Sequence, residues 1–178
     1  MTRTVFKIFT AGQHPQEEAW LDRMSQDGWQ LEKVGFLHYR FRKGTPGQYR
    51  YRLEFLENLP GDPRSMDYIR FLEDTGIEYV DSFFRWIYLR HPADRGPFEL
   101  HSSLSGRIAH YRRIRNFIAV LLSIEVVLGM NISAHVLEGG ASRSLLILPL
   151  AAVGILLYAL LPVQRTLKKL EEEHRIRE

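Results

Sequence analysis

LEKVGFLHYRFRKGTPGQYRYRLEF, residues 31–55, decides how the first hundred residues fold. Leu37, Tyr39 and Phe41 alternate with His38, Arg40 and Arg42; after Gly44-Thr45-Pro46-Gly47, Tyr49, Tyr51, Leu53 and Phe55 alternate with Arg50, Arg52 and Glu54. A period of two, apolar on one side and polar on the other, marks a half-buried strand. A short Gly- and Pro-rich segment between two such runs predicts a hairpin turn. Residues 31–43 and 48–55 are therefore expected as adjacent strands of one sheet.

On the N-terminal side, TVFKIF (4–9) predicts a further short strand. His14-Pro15 opens a helix, because Pro fits the first helical position and Glu17 and Glu18 complement the positive end of the helix dipole. Trp20, Leu21 and Met24 recur at helical spacing, and Gly28 supplies the stop. On the C-terminal side, Asp62-Pro63 predicts the capped start of a second helix, with Met66, Ile69 and Leu72 inward and Gly76 as its end. IEYVDSFFRWIYLR (77–90), rich in aromatic and β-branched residues, reads as one long strand. The order β-α-β-β-α-β predicts an α+β domain over residues 1–95 of the ferredoxin-like kind, two helices on one face of a four-stranded antiparallel sheet.

The rest of the chain is different in kind. Mean hydropathy over all 178 residues is −0.22, ordinary for a soluble protein, but the average conceals two populations. FIAVLLSIEVVLGMNISAHVL (117–137) contains one acid, Glu125, and LLILPLAAVGILLYALLPV (145–163) contains no charge. At about 1.5 Å per residue each spans roughly 30 Å, the thickness of a bilayer's hydrocarbon core. The second run is apolar on every face, unlike a packed soluble helix. Residues 117–163 are thus expected as a transmembrane helix hairpin, preceded by a basic juxtamembrane helix (96–116) and followed by a polar tail helix (164–178). Arg107, Arg112, Arg113 and Arg115 precede the first span, and Arg165, Lys168 and Lys169 follow the second. Basic flanks stay inside, so both termini are predicted to be cytoplasmic, and the four leading arginines to lie against anionic lipid headgroups. MTRTVFKIF is too short and too mixed for a cleavable signal.

Composition excludes several classes of function. With 45% hydrophobic and 25% charged residues the chain is not disordered. The absence of cysteine removes disulfides, thiolate-held metals and thiol nucleophiles. The seven histidines are dispersed, and no phosphate-binding glycine loop, nucleophile elbow or zinc-protease motif is present. No catalytic residue, metal site or cofactor is expected.

Four stretches together resemble the bacterial family known only as domain of unknown function 2812: EEAWLDRMSQDGWQLEKV (17–34), GQYRYRLEF (47–55), YIRFLEDTGIEYV (68–80) and FRWIYLRHP (84–92). The pattern from Trp20 to Leu31 is the most specific part. The chain departs from it at Ile77, where such proteins often carry Trp in a Gly-Trp-Glu step. The resemblance implies a trailing hydrophobic hairpin, a bacterial inner-membrane location and, because relatives are often encoded beside PadR-like transcriptional regulators, a regulatory setting with such a regulator as partner. It implies no catalytic activity.

Three groups of residues are candidates for function. His38, Arg40, Arg42, Arg50 and Arg52 are expected to project together from one sheet face, with Trp86 and Tyr88 opposite. Such a surface suits a protein partner, a second copy of the chain or an anionic ligand. Nucleic acid is disfavoured, because no aromatic RNA-binding consensus is present and residues 1–116 carry 18 basic against 15 acidic side chains, a net charge of only +3. Trp20, Trp29, Tyr39, Tyr51 and Tyr79 could line an aromatic pocket for a hydrophobic ligand, or simply fill the core. Glu125, alone inside a span, calls for a partner; Tyr158 on the second span or another subunit of a homo-oligomer could supply it. These features predict a membrane-anchored regulatory or sensory protein whose cytoplasmic domain binds a protein, itself or a hydrophobic ligand. The alternative is an accessory or assembly subunit of a membrane transport or stress-response complex.

Overall fold

The computed structural model of the protein describes residues 1–101, 103–140 and 142–177, except for the Arg177 side chain, so the last residue of the expected tail helix lies outside the described residues. The chain forms two compact units, Met1–Ser103 and Leu104–Glu178.

The first unit is α+β, as its alternation and capping signals imply. Its elements are β1 (Thr2–Phe6), α1 (His14–Gln26), β2 (Trp29–Gly35), β3 (His38–Lys43), β4 (Tyr49–Phe55), α2 (Pro63–Asp74), β5 (Glu78–Phe83) and β6 (Trp86–Pro92). They form two three-stranded antiparallel sheets, ordered β1-β3-β2 and β4-β6-β5, in place of the expected four-stranded sheet. Two turns make the difference. The run 31–43 folds back at Phe36-Leu37 and the run 77–90 at Phe84-Arg85, so each expected strand is a hairpin. Leu37 (φ 60°) and Phe84 (φ 56°) take the left-handed conformation. That conformation costs an L-residue roughly 1–2 kcal/mol and leaves no Gly or Asn to signal the turn. Gly44-Thr45-Pro46-Gly47 is not a hairpin turn either. The Gly44 and Gly47 amides donate to the carbonyls of Gly28 and Ser25, which ties this segment to the end of α1 and carries the chain to the second sheet.

The β-α-β-β unit therefore occurs twice. In the first, Leu31 pairs with Phe41 and Lys33 with Arg40 across a bulge; in the second, Tyr79 pairs with Leu89 and Asp81 with Tyr88 across a bulge at the equivalent place. Gly28 (φ 79°) and Gly76 (φ 86°) end the two helices in the left-handed conformation that favours glycine.

The main core joins the two repeats. Trp20, Leu21 and Met24 of α1 pack with Leu31, Val34, Tyr39 and Phe41 of the first sheet and with Tyr51, Leu53 and Tyr88 of the second. A second cluster gathers Leu72 of α2 with Ile87, Leu89, Leu56 and Phe98. Strand β6 is thus buried on both faces. Helix α2 sits more shallowly than its apolar spacing suggests: Leu72 is buried, Ile69 half-buried and Met66 exposed.

Strand β4 is a sheet edge, and α1 covers it chemically. The amides of Tyr49, Tyr51 and Leu53 donate to Ser25 Oγ (3.2 Å), Asp22 Oδ1 (2.7 Å) and Glu18 Oε1 (2.8 Å). Unpaired edge amides would invite another strand, and one polar stripe of α1 satisfies three alternate ones. Edge strand β2 is treated likewise, with the Leu31 amide donating to the Tyr51 hydroxyl (2.9 Å) and the Val34 amide to Asp81 Oδ2 (2.7 Å).

The second unit is an antiparallel pair of long helices, α3 (Leu104–Leu137) and α4 (Ile147–Arg177). The expected juxtamembrane helix and first span are one continuous helix, and the polar tail continues the second. Both helices are long and apolar enough to cross a membrane. Val120, Val127, Leu148, Leu150 and Ile155 stand exposed along them, so the chain itself does not bury this apolar surface. The pair closes where Ile108 meets Leu167 and Leu170, beside an Arg112–Glu171 ion pair of 2.8 Å. Near the other end Gly129 faces Pro149.

Candidate functional site

Helix α1 starts beside the turns of both hairpins, and a pocket of about 180 Å³ opens there. Lys7–Ala11 after β1 form one wall, Val34–Leu37 and Phe83 the turns, Trp86 another wall, and Glu17, Tyr39 and Tyr88 the polar end. Phe36 and Phe83 approach with ring centres 6.2 Å apart, and Phe36 and Ile8 are largely exposed, so the mouth has an apolar rim.

Glu17 is buried, and its Oε1 accepts a hydrogen bond from Tyr39 Oη and another from Tyr88 Oη, each 2.7 Å. Its Oε2 has no hydrogen-bond partner among the described residues. Burial raises the Glu17 pKa above the ordinary carboxylate value, and the two hydroxyls offset part of the rise. Burial and the neighbouring carboxylate push both tyrosines upward, so they remain donors at any physiological pH. Aromatic rings surround this group. Trp20 and Tyr39 meet edge to face at 4.9 Å, and Trp86 lies 5.4 Å from His14 and 5.0 Å from Phe55. Lys7 Nζ stands over the Phe9 ring (5.1 Å) and the Trp20 ring (4.7 Å).

The arginine face expected from the alternation does not assemble. His38, Arg40 and Arg42 lie on β3, whereas Arg50 and Arg52 lie on β4 in the other sheet. Arg40 and Arg42 both pair with Glu32 at 3.1 Å. Arg52 is held by Asp22 at 3.2 Å, and Arg50 is exposed opposite His91. Glu54 is wholly buried and bonded to His101 at 2.7 Å. Tyr88 points into the core, away from any arginine surface.

The five aromatic candidates divide. Tyr39 lines the pocket and Trp20 backs it, while Tyr51 is buried with its hydroxyl bonded to Leu31 and Gln30. Trp29 lies between Arg3 and Lys43, and Tyr79 belongs to the second cluster. Glu125 is half-buried in a groove between α3 and α4 and makes no hydrogen bond to Tyr158, which is 61% exposed. Of the four basic residues before the first span, Arg112 pairs with Glu171 and Arg115 with Asn116; Arg107 is exposed and Arg113 half-buried.

Glu17 lies in the first turn of α1, as helix-dipole reasoning placed it, but that reasoning did not foresee its burial. It was legible in another way: positions 17, 20/21 and 24 share one helical stripe, which puts its carboxylate on the buried face with Trp20, Leu21 and Met24.

A small α+β domain of two β-α-β-β repeats, with a carboxylate–tyrosine pocket and a pair of long apolar helices after it, is the class of protein this chain represents. The chain belongs to the family described as Protein of unknown function (DUF2812), whose profile matches residues 13–123. That region begins at α1 and extends into α3, taking in Glu17, Tyr39 and Tyr88. No curated protein and no solved structure matches the chain.

Proposed function

We propose that this protein is a membrane-anchored sensory module whose cytoplasmic domain binds a small amphiphilic ligand in the pocket at the start of α1. The observation that carries the reading is the pocket itself: an apolar rim around a buried carboxylate held by two tyrosine hydroxyls. Apolar walls with a few convergent polar groups are the usual make-up of a small-molecule site. In this reading α3 and α4 anchor the chain in the bacterial inner membrane with both termini cytoplasmic, the role is regulatory and not catalytic, and a PadR-like regulator is the partner that receives the signal. The test is thermal unfolding of the full chain in nanodiscs against a panel of amphiphiles. Stabilisation by a subset, lost in a Trp86→Ala variant, supports the reading; no shift from a broad panel sinks it.

A second reading, an accessory subunit of a membrane transport or stress complex, is favoured by Glu125. A lone carboxylate at a half-buried position in an apolar helix invites a polar partner from another chain. If Glu125→Gln assembles normally and Glu125→Leu does not, a hydrogen-bonded partner is involved; normal assembly of both removes the case.

A further inference from the structure

We infer that the pocket takes an organic ammonium, a small lipophilic amine or quaternary ammonium whose cationic head meets Glu17 and whose apolar part lies against Trp86, Phe36 and Phe83. This rests on the reading of the pocket as a ligand site and names the ligand's chemistry.

Three observations converge. The ionisable group at the polar end is a carboxylate, 6% exposed, with Oε1 saturated by Tyr39 and Tyr88 and Oε2 without a partner among the described residues. The walls are aromatic, and ring faces attract cations. One ring of that wall already faces an ammonium, since Lys7 Nζ lies over Phe9. The volume of about 180 Å³ is below the roughly 300–1,000 Å³ of drug-sized sites, so the occupant is a head group with one ring or a short chain.

Charge balance follows from burial. A carboxylate removed from water favours its protonated form, and a cation reverses that preference. In the pH range where Glu17 carries its proton, binding exchanges one positive charge for another: the ammonium enters and the proton leaves to solvent. The titratable and charged groups around Glu17 are Tyr39 from β3, Tyr88 from β6, His14 and Glu18 on its own helix, and Lys7 from the segment after β1. Val34 of β2 and Phe83 of β5 bring no charge. Lys7 repels a second cation and attracts an anion, so its removal distinguishes an ammonium site from an anion site.

The test uses the full chain in phosphatidylcholine nanodiscs and three probes of similar size: benzyltrimethylammonium, its uncharged isostere with carbon in place of nitrogen, and phenylacetate. The cation is expected to bind at least about tenfold more tightly than the other two, as a charge-assisted contact with a buried carboxylate implies. Calorimetry in two buffers of different ionisation heat should show proton release on cation binding that grows toward lower pH. The apparent affinity should rise up to about tenfold per pH unit while Glu17 is protonated, then level off. Glu17→Gln keeps an acceptor for both tyrosines; it should abolish proton release and cut cation affinity at least about tenfold without changing binding of the isostere. Lys7→Met should tighten cation binding. Tighter binding of phenylacetate that Lys7→Met weakens, or equal binding of the isostere without proton release, overturns the ammonium assignment and leaves the ligand site standing. Failure of all three probes overturns both.

Discussion

Replacing Asp22 by Ala removes the acceptor for the Tyr51 amide (2.7 Å) and one partner of Arg52 (3.2 Å). Tyr51 is wholly buried, and an amide left unpaired in such a place costs about 1–3 kcal/mol. The ion pair is more accessible, each side chain being 24% exposed, and adds up to about 1 kcal/mol. The expected loss is thus about 1–4 kcal/mol, which for a unit of this size lowers the unfolding midpoint by roughly 5–30 °C. Asp22→Asn keeps a carbonyl for the amide and gives up only the charge, so about 1 kcal/mol is expected. All three tryptophans, Trp20, Trp29 and Trp86, lie in the first unit, so tryptophan fluorescence of the full chain reports its unfolding. Hydrogen exchange of the segment containing Tyr51 should accelerate in Asp22→Ala and barely change in Asp22→Asn. Equal midpoints for the two variants, or unchanged exchange at Tyr51 in Asp22→Ala, would refute the idea that α1 carboxylates seal this sheet edge.

Burial raises Glu18 to about 7 from an ordinary 4.5 and raises Glu17 as well. These two groups hold protons in the folded state that the unfolded chain has released, so the stability they contribute is greatest below about pH 4.5 and is lost as pH rises, for Glu18 through about 7. For Glu18 this loss is up to about 3 kcal/mol; a melting series from pH 5 to 8 should show it, and Glu18→Gln, which keeps an acceptor for the Leu53 amide, should flatten it. At the first hairpin turn, Leu37→Val should lower the midpoint by the equivalent of about 1–2 kcal/mol, because a β-branched residue tolerates positive φ poorly. Leu37→Gly should not; equal melting of the two would dismiss the strain. The chain has no cysteine, so a single Cys at Ser144 should react with an impermeant maleimide from outside intact cells, and one at Thr2 only after lysis. Labelling of Thr2→Cys from outside would reverse the topology.

What the sequence determined by itself is whatever depends on neighbours along the chain. Pro15, Asp62-Pro63 and the glycines at 28 and 76 place both helices, because capping is local chemistry. Residues 117–137 and 145–163 declare two long apolar helices by length and composition alone. Alternation identified strand residues, including the inward set Tyr39, Phe41, Tyr51 and Leu53. It could not say where a strand reverses, since Leu37 and Phe84 adopt the left-handed conformation without a residue that advertises it, and a turn that keeps the alternation in step leaves the pattern unbroken. Which strands pair was a tertiary decision for the same reason: a period of two fixes the faces of a strand and leaves its neighbour open. The pocket lay further from view, because Glu17 and Tyr88 are far apart in the chain and meet only when both repeats fold around α1. A carboxylate in a first helical turn ordinarily serves the dipole; the rings and hydroxyls packed around this one after folding make it a buried acid facing a pocket.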